Sequence, residues 1–374
     1  MDVQELERLL GTGLSEEDRL DVLDQLAGHF YDLKDYKKAI QHYEKGEQLA
    51  SPGNARAYFS GQKGICYYLL QKDERAIQSL LDAKNMFSPA EDEFSADVYG
   101  MVHFFLGSYY EYTGEDEPSM QARLEALKFI DELDQEAQWM LLSGLSRNHE
   151  RRNEHRKALQ YNMQAISLIG HNDPEMAYLY ESMGNNHVGL GEYEEALSCY
   201  SKILSSSPQF ERLEEIYSKI GLCYQRLLDY RTALNAYLKL LEVKKLQRTE
   251  GESLAWLHIE IAHCHYHLKE YAQALQAARQ GLDEPVPGGD DLADLRSYLT
   301  SCNHALGNHQ EAVRQGEQTL KISESFAKLA EMLPNLALSC YELNQMEKFR
   351  FYRDRCNRDF PDSSWTKHLN KLKA

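Results

Sequence analysis

The chain has 374 residues, 43% of them hydrophobic and 27% charged, a composition that excludes intrinsic disorder and suits a folded protein. Its formal net charge of −18 sets a predominantly acidic surface, which disfavours nucleic acid and anionic membranes as partners. The opening MDVQELERLL has no basic segment followed by an apolar run, and no run reaches the length of a membrane span, so a cytoplasmic protein is expected. The seven cysteines are scattered, odd in number and without a C-x-x-C pair, which predicts core-filling thiols rather than a disulfide framework or a thiolate zinc site.

Residues 1–19 read as an N-terminal capping segment: a short helix over 1–14 with a Gly-containing turn, then Ser15 to Asp18 as a capping box that launches the next helix. From there one pattern recurs, clearest in Ala177 to Pro208. With Ala177 as position 1, it has Tyr180 at 4, Met183 at 7, Gly184 at 8, His187 at 11, Gly191 at 15, Tyr193 at 17, Ala196 at 20, Tyr200 at 24 and Pro208 at 32. Small residues at 8 and 20 let two antiparallel helices approach, rings fill the space beside the contact, Gly191 closes the first helix with a positive φ, and Pro208 ends the second.

Starts fall near 20, 57, 100, 139, 177, 214, 255, 293 and 330, at intervals of 37, 43, 39, 38, 37, 41, 38 and 37 residues. Five copies pair a small residue at 8 with alanine at 20: Ala27 and Ala39, Gly64 and Ala76, Gly184 and Ala196, Gly221 and Ala233, Ala262 and Ala274. Others depart from the pattern, with Ser119 and Phe349 where the alanine is expected and Thr300 at position 8. Pro52, Pro89, Pro174, Pro208, Pro285 and Pro287 mark joints, whereas Pro334 sits where a helix should run and predicts a late start or a kink. DEPVPGGDD, Asp283 to Asp291, reads as a surface turn in preference to a hinge. Residues 359–374 read as a capping helix begun by Ser363-Ser364, with Trp365, Leu369 and Leu372 on one face and Lys367, Lys371 and Lys373 elsewhere.

This pattern, over residues 20–358, resembles the tetratricopeptide repeat, whose basic unit is 34 residues of helix, turn and helix. The resemblance implies an all-α, right-handed superhelical solenoid of about nine repeats with end caps, and a concave groove lined by positions 2, 5, 6, 9, 12 and 13 of each first helix. Carried onto this chain, those positions give Tyr58, Arg147, Arg151, Asn185, Lys219, Arg226, Trp256, Glu260, His263 and His267 as candidate partner-binding residues. Four cations on one wall of an acidic protein suit a partner with an acidic segment, held by charge-assisted hydrogen bonds; the alternative is that they offset carboxylates along their own helices. The family's carboxylate clamp is absent, because Glu181 stands where lysine is needed, Lys219 where asparagine is, and Trp256 and Glu260 where lysine and arginine are.

The run HIEIAHCHYHLK places Glu260, His263 and His267 on one helical face at i, i+3 and i+7, a spacing able to ligate a divalent ion. With no cysteine or second histidine motif beside them, they read as polar groove residues, and neither a metal nor a cofactor is expected. SRNHERRNEHRKAL, Ser146 to Leu159, reads as a solvated helix end because Glu150 and Glu154 interrupt its basic residues. Trp256, Tyr266, Tyr298 and Tyr341 are either partner anchors or packing between repeats. No Gly-rich phosphate loop, G-x-S-x-G or H-E-x-x-H motif occurs, and no enzyme activity is expected. The expected function is a scaffold or adaptor that binds a protein or peptide in the groove. The alternative, a peptide-responsive sensor of the bacterial pheromone-receptor and regulator-phosphatase type, is similar in length and repeat number, but those proteins usually carry an N-terminal bundle or DNA-binding domain before the repeats.

Overall fold

The computed structural model of the chain describes residues 2–88, 96–170, 173–247, 251–285, 289–323, 325 and 328–372. Pro89, Pro287, Lys373 and residues 286–288 of the proposed surface turn lie outside them. The described residues form twenty α-helices and no strand. The helices gather into two compact units, one of Met1–Glu192 with Ser205–Ser207 and one of Tyr193–Leu204 with Pro208–Ala374. The division falls inside the best-formed sequence repeat, and no composition shift marks it.

The first unit opens with α1 (Val3–Leu10), then the pairs α2 (Glu16–Asp32) with α3 (Tyr36–Leu49), α4 (Asn54–Leu69) with α5 (Asp73–Met86), α6 (Ala96–Tyr112) with α7 (Asp116–Leu127), and α8 (Gln135–Arg151) with α9 (His155–Leu168), followed by α10 (Met176–Leu190). The second contains α11 (Tyr193–Ser206), the pairs α12 (Leu213–Arg226) with α13 (Tyr230–Gln247), α14 (Ala255–His267) with α15 (Tyr271–Leu282), α16 (Gly289–Ala305) with α17 (His309–Ile322), and α18 (Leu329–Glu342) with α19 (Met346–Asp359), and ends on α20 (Ser364–Leu369). Within each unit the helices of a pair pack on one another, and the first helices of successive pairs also touch, α4 on α6, α6 on α8 and α8 on α10 in one, α14 on α16 and α16 on α18 in the other.

Local chemistry explains the helix ends. Ser15 accepts the Asp18 amide at 3.1 Å, the capping interaction expected from the sequence. The turn from first to second helix contains one left-handed residue in each of nine places: Lys34, Gln71, Gly114, Asn153, Gly191, Leu228, Lys269, Gly307 and Asn344. Their separations are the same series of intervals as the sequence motif. Gly191, at φ 77°, takes this conformation without the Cβ clash that Leu228, at φ 61°, must tolerate.

Close approach of paired helices is equally specific. A Cβ on Gly64 would lie 2.9 Å from the Leu80 side chain and 3.0 Å from its backbone nitrogen. Ala39, Ala76, Ala158, Ala233, Ala274 and Ala312 are all fully buried at the corresponding place on the second helices. All seven cysteines are buried and unpaired, as core filler. Pro334 lies inside α18, which starts at Leu329 and continues through it, so the helix does not start late; the proline costs one backbone hydrogen bond from a buried position. Around α20 two residues of the expected face hold, Leu369 being buried and Leu372 packing on the same core, whereas Trp365 departs from it and is 46% exposed. No helix among the described residues is long and apolar enough to cross a membrane.

Candidate functional site

In the first unit, α6, α8 and α10 border a cleft of about 330 Å³. Its walls are Phe104 and Ser108 from α6, Trp139, Met140, Ser143 and Arg147 from α8, and Tyr178 and Leu179 from α10, with Glu175 at the N-cap of α10. Met140 is 41% and Tyr178 36% exposed, so two large apolar side chains present themselves to solvent beside hydroxyls and a guanidinium. Most of these residues occupy positions 2, 5 and 9 of three successive sequence repeats. The register therefore carries the signal; attention to its charged members alone hides it.

Arg147, one candidate, borders this cleft from an ion cluster. Its Nε and Nη2 donate to the Glu111 carboxylate at 2.8 and 3.1 Å, and its Nη1 donates to Ser143 at 2.9 Å. Arg151 Nη2 lies 3.5 Å from the same carboxylate and its Nη1 pairs with Asp116. Beneath them Arg123, 1% exposed, also pairs with Glu111 and donates to Asn148 Oδ1 at 2.7 Å, Ser119 Oγ at 3.1 Å and the Gly144 carbonyl at 3.1 Å. This network accounts for the departure at Ser119 and for a glycine in α8. Ser119 replaces alanine because its hydroxyl serves the buried guanidinium, and Gly144 leaves it room, since a Cβ there would lie 2.4 Å from Arg123 Nε. Burial alone would raise the Glu111 carboxyl; the hydrogen bonds and charge of Arg147, then Arg123, reverse this and hold it at about 2. The cations of α8 thus offset carboxylates on α6 and α7, across a repeat boundary and not along their own helix.

Elsewhere in this unit the Tyr58 hydroxyl donates to Asp24 at 2.8 Å, joining two first helices; burial raises the Asp24 carboxyl, and this hydrogen bond opposes the rise. Asn185 is half-buried. Its neighbour Asn186 is fully buried, with Oδ1 3.0 Å from His155 Nδ1 and Nδ2 donating to the Ser182 carbonyl at 2.8 Å.

In the second unit Lys219 and Trp256 share a cleft of about 370 Å³ with Glu214, Glu215 and Lys244, while Arg226 is exposed at the end of α12. Glu260 accepts from Gln225 Nε2 at 2.7 Å and is not grouped with the histidines. His263 and His267 are together, ring centroids 4.4 Å apart, and a third group that the sequence pattern does not announce joins them: Glu331 of α18, at position 2 two repeats on. Burial, reinforced by Lys328, lowers His263 to about 2, and partial desolvation of the otherwise exposed His267 ring lowers that group too. His267 stacks on Tyr230 with centroids 4.4 Å apart. Tyr298 is 1% exposed and the Tyr266 hydroxyl accepts from Asn335 Nδ2 at 3.2 Å, so both pack between repeats.

A family model for the tetratricopeptide repeat matches residues 176–210. Among solved structures, the apo form of RapI superposes with a TM-score of 0.53 at 14% identity, covering 94% of this chain and 97% of that one. The chain thus contains a tetratricopeptide repeat and shares an all-helical repeat fold. The C-terminal part of a TPR repeat-containing protein from Cytophaga hutchinsonii matches with a TM-score of 0.50 at 17% identity, covering 72% of this chain and 98% of that one. In sequence, the chain is 24% identical over 161 residues to Outer dynein arm-docking complex subunit 4 of Xenopus laevis, 40% of this chain and 29% of that protein. It is also 24% identical over 136 residues to the Tonsoku-like protein of Drosophila melanogaster, 34% of this chain and 10% of that protein. The matched stretches span less than a third of either relative's own length.

Proposed function

We propose that this tetratricopeptide-repeat protein is a non-catalytic cytoplasmic scaffold that binds a protein or peptide through the first helices of its first unit, and that the cleft between α6, α8 and α10 receives an apolar or aromatic side chain of the partner. The observation that carries this reading is the pairing of Met140 and Tyr178, both partly exposed, with Trp139 and the hydroxyls of Ser108 and Ser143 in one concavity of about 330 Å³. Exposed aromatic and Met side chains around a concavity are the usual anchors of a protein interface, and nearby hydroxyls orient the bound backbone. Arg147 adds a guanidinium that is still 47% exposed at the edge, so an acidic residue next to the partner's apolar anchor completes the recognition. The relative named as a subunit of a docking complex fits a chain that works inside an assembly.

Capture from the source cell tests the reading. Wild-type bait is compared with Met140→Asp and Tyr178→Ala, each checked for unchanged helical content. Both substitutions should abolish recovery of a partner seen with wild type. An identical set of captured proteins with all three baits would remove this cleft from the function.

A further inference from the structure

We propose that His263 and His267 of α14 and Glu331 of α18 form a binding site for a divalent first-row transition cation of the zinc type. The three side chains come from different turns and helices of the second unit, yet one ligand atom from each lies within 4.8 Å of the others. Bonds of about 2.1 Å in tetrahedral geometry need donors about 3.4 Å apart, so small rotamer changes complete the site. His267 is exposed enough to make them.

Three independent features favour a ligand here over a chance grouping. The histidines are four residues apart on one helix, so their rings project from one face one turn apart. The Glu331 Oε2 atom is buried and accepts no hydrogen bond among the described residues, a costly state for a carboxylate oxygen that a bound cation would relieve. His263 is oriented by a neighbour: its Nδ1 lies 2.8 Å from the hydroxyl of the buried Tyr298. With Nδ1–H donating to Tyr298, Nε2 is the free donor, the arrangement in which ligating imidazoles are usually held.

The donor set of two imidazoles and one carboxylate suits zinc and its first-row neighbours and leaves a fourth position for water. Glu260, which shares the histidine face in the sequence, is taken by Gln225. The cation would tie α14 to α18 across α16, the first helices of three successive pairs. Lys328 Nζ, 3.5 Å from His263 Nδ1, opposes it: its charge repels the metal, and it must give up this contact when Nδ1 carries the proton.

The test uses the full chain, stripped with a chelator and titrated with zinc chloride by calorimetry, with cobalt absorption as a second readout of coordination. Wild type should bind one equivalent, and zinc should raise its thermal midpoint. His267→Ala and Glu331→Gln should each weaken binding at least tenfold, Glu260→Gln should leave it unchanged, and Lys328→Ala should tighten it. Because His267 is exposed, its substitution leaves the fold intact, as the metal-free melting curve will verify. Absence of zinc binding, or affinity kept within twofold by His267→Ala, overturns the proposal; the second result would place the metal elsewhere, for example at His304 and His309, whose rings are 5.4 Å apart.

Discussion

Replacing Glu111 by glutamine tests the electrostatic core of the first unit. The carboxylate is the shared partner of Arg123, Arg147 and Arg151, and Arg123 has almost no water to fall back on, its side chain being 2% exposed. Two routes give the cost. The carboxyl is held at about 2, against 4.5 for an unperturbed glutamate, and that shift corresponds to about 3 kcal/mol of folded-state stabilisation at neutral pH. Removing one partner of a buried ion pair costs about 3–5 kcal/mol through the charge left behind. The sign of the pH dependence follows from a folded value below the unfolded one: the contribution is complete above about pH 4.5 and fades as pH falls toward 2. Urea unfolding followed by circular dichroism at several pH values should therefore show wild type and Glu111→Gln separated by about 3 kcal/mol at pH 7 and converging near pH 2. A gap under about 1 kcal/mol at pH 7, or one that persists undiminished at pH 2, would refute the assignment of Glu111 as the ion that holds Arg123.

Further expectations are local. Arg147→Ala, on the exposed side of the same cluster, should cost only about 0.5–1 kcal/mol in the same assay. Gly191→Ala should destabilise by about 1 kcal/mol and Leu228→Gly should stabilise by up to about 1 kcal/mol, because both residues are left-handed and only one is a glycine; thermal melts of opposite sign would check the pair. Gly64→Val should lower stability by about 2 kcal/mol or more, since its Cβ would press on Leu80 and the α5 backbone, and chemical denaturation would measure it.

Much of the helical architecture was legible because it rests on short-range chemistry. The Ser15 cap, the left-handed Gly191 and the small residues at close helix approaches act within a few residues or between adjacent helices, so their spacing alone announces them. The site was less legible. Charge singles out candidates in a sequence, but a position in a register does not say which charges are already paired. Glu111 lies 36 residues from Arg147, on another repeat, and nothing in the sequence matches the two. Met140 and Tyr178 occupy register positions as good as Arg147, but an apolar side chain in a helix reads as core until its exposure is known.

The sequence by itself determined that the chain folds into helices with tight turns at a regular interval, because periodicity, caps and glycines are properties of neighbouring residues. Only the tertiary structure decided which side chains meet across repeats: Arg123 with Glu111, and Glu331 with a histidine pair more than sixty residues earlier. Those meetings depend on how successive helices stack, and the stacking is set by the packing of the whole unit.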